Sequence, residues 1–224
     1  MHWNNYRYRK ENDGIVIEEY DGAETQVVIP SEIEGLPVRK IGPEAFTLHG
    51  ALIESIEVPG TVIEIGDGAF KMCMSLETLL LQDGVQKIGE NALLVTAVTK
   101  MHLPASIAEL ARPWEWGKIA LDVAADNPYY FSDGYGLYEK HPDEYVVMAV
   151  RAEDERKSYE VVSGTVCIGT HALEGQMYLQ NVILPEGVKR IAEEAFESCQ
   201  ALRRISLPEG LTELESDAFR CCIS

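Results

Sequence analysis

One block of residues recurs along this chain at a near-constant interval, and a chain patterned in that way has few folds open to it. The clearest copy runs from Leu184 to Leu207 and repeats after 23 residues. Its signature, Ile-Gly-x-x-Ala-Phe or a close variant, begins at Ile41, Ile65, Ile88, Ile168, Ile191 and Leu214, and closes on Phe46, Phe70, Leu93, Leu173, Phe196 and Phe219. The first three anchors are 24 and 23 residues apart, the last three 23 and 23. A degenerate copy starts at Leu110, where Ala111 replaces Gly and Arg112-Pro113-Trp114 breaks the Ala-Phe part. Seven residues before each anchor stands a second element: Val58-Pro59, Leu81-Gln82, Leu103-Pro104, Val161-Val162, Leu184-Pro185 and Leu207-Pro208. One such unit cannot bury its own apolar side, so the units must stack around a common interior as a solenoid.

Each part of the unit has a physical role. In Leu202-Arg-Arg-Ile-Ser-Leu207 the alternation of apolar and polar residues predicts a short strand with one face inward. The Pro that follows lacks an N–H and ends the ladder, and Glu-Gly or an equivalent pair supplies a turn. A second extended piece, as at Val188 to Ile191, leads into Gly-x-x-Ala-Phe, which predicts a tight helical turn. The expected core is Phe46, Phe70, Leu93, Leu173, Phe196 and Phe219 together with Cys73 and Cys199. Cys73, Cys199 and Cys222 each follow a repeated Phe by three residues, as compact interior side chains would. Of Cys221 and Cys222 only one can point inward.

The pattern Leu-x-x-Ile-x-Leu-Pro-x-x-Val-x-x-Ile-Gly-x-x-Ala-Phe-x-x-Cys resembles the BspA-type leucine-rich repeats and covers about Ile29 to Cys222. The resemblance implies a leucine-rich-repeat solenoid of short parallel strands and tight turns. It also implies a relation to microbial surface and secreted proteins that contact host or partner proteins. Leu93 and Leu173 in place of Phe, Thr165 at a position usually apolar, and the region around Trp114 depart from the pattern.

The expected organisation is a single domain over 1–224. Residues 1–28 form a β-hairpin cap around Glu11-Asn12-Asp13-Gly14, 29–123 the first repeats, 124–158 a β-hairpin insertion turning at Ser132-Asp133-Gly134, and 159–224 the last repeats, without a lid on the final coil. An uncovered sheet end invites self-association, since unpaired edges template pairing. The alternative is that the chain is a spacer or fragment of a larger surface protein.

Composition narrows the function. With 37 Asp and Glu against 19 Lys and Arg, a net charge of −18 opposes nucleic acid as a partner. The opening ten residues lack a secretory apolar stretch, and nowhere do eighteen apolar residues run together, so membrane insertion is not expected. By itself the sequence points to the cytoplasm; by resemblance, to the cell surface. The five histidines are scattered, His171 in a variable turn slot expected to face solvent, and no Cys-x-x-Cys, His-Glu-x-x-His, Gly-x-Ser-x-Gly or phosphate-binding loop occurs. No catalytic, metal or cofactor-binding residue is therefore expected.

What remains is surface. Counting along the strands, Glu57, Leu80, His102, Asp122 and Ile183 fall in one outward row and Lys100, Asn181 and Arg204 in another. Such rows build the broad faces of solenoids, so the leading expectation is a non-enzymatic scaffold that binds a protein. An alternative is a carbohydrate-binding module using Trp114, Trp116, Tyr130 and Tyr135 as stacking platforms. The structural reading of those rings is a small core within the insertion.

Overall fold

In a computed structural model the described residues are all of 1–224 except Gly117, Glu153, Asp154 and Ser224, and the side chain of Trp114 also lies outside the description. The chain is built of short strands and turns, stacked repeat on repeat within each unit. Two compact units are present: Met1–Glu115 with Asp122–Pro128, and Trp116–Leu121 with Tyr129–Ser224.

The first unit opens with strands His2–Trp3, Tyr6–Glu11 and Gly14–Tyr20, paired antiparallel. Gly14–Tyr20 then pairs parallel with Leu36–Ile41, which is followed by Glu64–Ile65, Lys87–Ile88 and Glu109–Leu110. The register puts Ile17, Ile41, Ile65, Ile88 and Leu110 side by side, and all five are buried. A second parallel sheet, Gln26–Val28, Ser55–Val58 and Thr78–Leu81, aligns Val27, Ile56 and Leu79 inward. Between the sheets runs a column of rings: Tyr6 and Tyr20 have centroids 5.3 Å apart, Tyr20 and Phe46 5.0 Å, and Phe46 and Phe70 5.3 Å.

The second unit repeats this plan. Tyr130–Ser132, Gly136–His141 and Glu144–Val150 are antiparallel, and the last pairs parallel with Thr165–Ile168, followed by Arg190–Ile191 and Glu213–Leu214. Val147, Ile168, Ile191 and Leu214 are in register. Ser158–Glu160, Asn181–Ile183 and Arg204–Ser206 form the other sheet. The segment read from sequence as an insertion thus supplies the strands that open this unit, as the amino-terminal hairpin opens the first. The two junctions even share a detail: Gly42 N–H donates to Ile17 O at 2.7 Å and Gly169 N–H to Val147 O at 2.9 Å. A Cβ at Gly42 would sit 2.7 Å from Ile17 O, and one at Gly169 2.5 Å from Val147 O, so the close approach requires glycine.

The Gly-x-x-Ala-Phe segment is not helical, contrary to expectation. Its second variable residue has positive φ in every copy: Glu44, Gly68, Asn91, His171, Glu194 and Asp217, between 54° and 61°. A left-handed residue turns the chain sharply where a helix would have continued. The turns are instead held from coil to coil. Phe70 N–H donates to Ala92 O at 3.0 Å, Leu173 N–H to Ala195 O at 2.8 Å and Phe196 N–H to Ala218 O at 2.8 Å. These bonds satisfy buried backbone groups that no helix serves.

Phe46, Phe70, Leu93, Leu173 and Phe196 are buried, with Phe219 half-buried and stacked on Phe196 at 5.0 Å and 6°. In four coils the residue three positions on reaches the coil before. Cys199 and Cys222 aim their thiols at Leu173 O (3.0 Å) and Phe196 O (3.1 Å), Cys73 stands 3.9 Å from Phe46 O, and Gln176 donates to Val150 O at 2.9 Å. Cys222 takes the inward position and Cys221 is exposed. Thr165, at the usually apolar position, is buried and donates its hydroxyl to Val162 O at 2.7 Å.

Candidate interaction surface

The strand sheets expose one side. In the first unit Val28, Glu57 and Leu80 are adjacent in register, with Val28 68% and Leu80 55% exposed. Alternation explains both: their neighbours Val27 and Leu79 point inward, so they must point out. Gln82 Nε2 donates to Glu57 Oε1 at 2.7 Å and fixes that carboxylate between the two apolar side chains. His102 and Asp122 are exposed and 3.0 Å apart, and Lys100 is exposed on the same strand as His102. In the second unit Glu160, Ile183 and Ser206 form one row and Ser158, Asn181 and Arg204 the other; Ile183 is 46% exposed and Arg204 exposed, while Asn181 is half-buried. Val28 escaped the sequence reading because it precedes the first full repeat, where the spacing that aligned the other rows does not yet apply.

The aromatic candidates separate. Trp116 and Tyr130 are each 4% exposed and offer no ring to solvent, which corrects their assignment as stacking platforms. Tyr138 is buried as well, with Phe131 stacked on it at 4.7 Å and 11° and Tyr145 edge-on to Phe131 at 4.8 Å. These rings fill the space between the opening strands and the first coil of the second unit. Tyr135 is 37% exposed and is covered on one face by the Arg156 guanidinium, 3.0 Å from its centroid.

His171, expected to face solvent, is half-buried among carboxylates: Nδ1 stands 2.9 Å from Glu174 and Nε2 3.1 Å from Glu194. One imidazole with Glu194 and Glu197 is a donor set that by type suits a divalent ion. The Arg220 guanidinium lies against the same two carboxylates, 2.8 Å from Glu194 and 2.6 Å from Glu197, so the group is a charge network that joins successive coils. Burial pushes the Cys73 and Cys199 thiols up to about 12 and raises the Tyr138 and Tyr159 phenols, holding all four in the protonated form that a nucleophile must leave.

A chain of stacked repeats whose sheets expose aligned rows of side chains is a repeat scaffold. The BspA type leucine-rich repeat model matches six copies over residues 26–112 and 158–224, and the chain belongs to that family. Among solved structures it is similar to a leucine-rich cell surface protein of Faecalibacterium prausnitzii, at 22% identity over 99% of this chain and 86% of that one with a TM-score of 0.55. It is also similar to the pneumococcal vaccine antigen PcpA (19% identity, 94% and 70% covered, TM-score 0.65) and to the T. pallidum leucine-rich repeat protein TpLRR (23% identity, 93% and 83% covered, TM-score 0.52). At these identities the likeness is one of fold. No curated protein matches by sequence. Leucine-rich-repeat proteins generally bind other proteins, and the family is typically non-enzymatic. Among the described residues no helix is long and apolar enough to cross a membrane.

Proposed function

We propose that this chain is a non-enzymatic scaffold that binds a partner protein across its outward strand rows, and that it acts at the cell surface. The observation that carries the reading is the row Val28, Glu57, Leu80: two exposed apolar side chains flank a hydrogen-bonded carboxylate on a rigid parallel sheet. Exposed apolar groups aligned by a scaffold mark contact surfaces more than scattered ones do. The surface location draws on the cell surface protein of F. prausnitzii named above. Photo-crosslinking residues placed at Thr78, exposed on the same strand as Leu80, and at Ile183 are expected to capture one protein from the source cells or their host. Val28→Lys with Leu80→Lys is expected to abolish that capture at unchanged thermal stability. Capture that survives the double substitution overturns the reading.

A further inference from the structure

Between the amino-terminal hairpin and the segment that follows it lies an open pocket of about 260 Å³ whose walls include Trp3, Asn5, Tyr6, Tyr20, Glu24 and Gln26. Trp3 is the outermost ring of the column that continues through Tyr6, Tyr20 and Phe46, and it stacks on Tyr6 at 6.4 Å and 24°. It is half-buried, so its plane is fixed from behind while part of the indole meets solvent. Glu24, exposed, lines the same pocket, and its carboxylate is held in place: Tyr20 hydroxyl donates to one oxygen and Asn5 Nδ2 to the other at 2.7 Å. Gly22 makes this geometry available, since a Cβ there would collide with the Tyr20 hydroxyl and the Glu24 carboxylate together.

Many glutamates of the molecule lie against cations, as Glu64 does against Lys40, Glu109 against Lys87 and Glu215 against Arg190. Both side chains that hold Glu24 are neutral, and among the described residues no Lys or Arg lines the pocket. The Tyr20 hydrogen bond is the chief cause that holds Glu24 below the usual carboxylate range, so it is ionised at neutral pH. With these bonds made the carboxylate is still exposed, which leaves it open to a ligand.

We propose that this pocket receives an arginine side chain of a partner protein, the guanidinium stacking on Trp3 and pairing with the Glu24 carboxylate. Arginine is the side chain that combines a planar fork for a carboxylate with a face for an aromatic ring. A net charge of −18 favours a cation over an anionic ligand. Val28 belongs both to the pocket wall and to the outward strand row, so the inference rests on the protein-binding reading and supplies a basic anchor for it.

Two-dimensional NMR of the full chain, with the Trp3 indole resonance assigned through Trp3→Phe, tests the pocket with short blocked peptides of the form Gly-X-Gly. The arginine peptide is expected to shift the Trp3 indole with low-millimolar affinity, the lysine peptide at least fivefold more weakly, and the uncharged citrulline peptide not at all. Glu24→Gln, isosteric and exposed, is expected to weaken the arginine peptide at least tenfold with the folded spectrum intact. Equal shifts from arginine and citrulline, undiminished binding in Glu24→Gln, or a response to methyl glucoside with none to arginine would each overturn the proposal. Partner capture through Val28 and Leu80 is scored separately, so either idea can fail while the other stands.

Discussion

Tyr159 donates its phenolic hydrogen to Oδ2 of Asp133 at 2.8 Å, tying a strand of the repeats to a hairpin turn 26 residues earlier. The same carboxylate is shared further. Tyr138 hydroxyl approaches Oδ2 at 3.2 Å and also touches the Tyr159 hydroxyl, while Oδ1 accepts from the backbone N–H groups of Tyr135 and Gly136 at 2.9 and 2.7 Å. One aspartate therefore sets the turn through its first oxygen and docks the hairpin through its second. Gly136 is required beside it, because a Cβ would sit 2.5 Å from the Tyr159 hydroxyl.

Tyr159→Phe removes a buried donor from a charged acceptor and should destabilise the protein by about 1–3 kcal/mol in urea unfolding. Asp133→Ala should cost more, since it removes at once the acceptor shared by two phenols and the acceptor that sets the turn amides of Tyr135 and Gly136. A midpoint unmoved by either substitution would show that the hairpin is held by apolar contact alone.

Phe196→Ala opens a hole between coils that cannot close on it, and a loss of roughly 3–5 kcal/mol is expected. Phe219→Ala should cost clearly less, because Phe219 is only half-buried. Equal losses in calorimetry would contradict that difference in burial.

The left-handed turn positions carry strain that glycine relieves. Non-glycine residues there cost roughly 1–2 kcal/mol, and glycine's extra freedom in the unfolded chain returns roughly 0.5–1 kcal/mol of that. Glu44→Gly, at φ 54°, should therefore raise the thermal midpoint by a few degrees at most. Gly175→Ala, at φ 69° with no atom within 4 Å of the new methyl, should lower it through backbone strain alone.

Cys73 and Cys199, with thiols pushed from 9.0 up to about 12, bind their protons more tightly folded than unfolded. Their contribution is complete below about pH 9 and is lost as pH rises toward 12, because the unfolded chain then releases protons that the native state retains. Cys73→Ala should flatten this alkaline decline. In the native protein a thiol reagent at pH 8 should modify exposed Cys221 first, with Cys73 and Cys199 reacting only on unfolding. Fast modification of Cys199 would place it outside the interior.

What the sequence by itself determined is everything that periodicity carries. Side chains recurring every 23 positions stack in register because each unit buries its apolar side only against its neighbours, so Ile41, Ile65 and Ile88 were identifiable as one ladder and Leu80 and Ile183 as outward. Tertiary structure alone decided what does not repeat. The sign of φ in the Ala-Phe turns follows from bonds to the adjacent coil, and residues as different as Glu44, Asn91 and His171 accept it, so no residue type announces it. Whether Trp116 and Tyr130 are platforms or core, and whether Glu24 meets an aromatic ring beside a pocket, depends on which distant segments pack against them. Those are non-local contacts, settled only when the whole chain has closed.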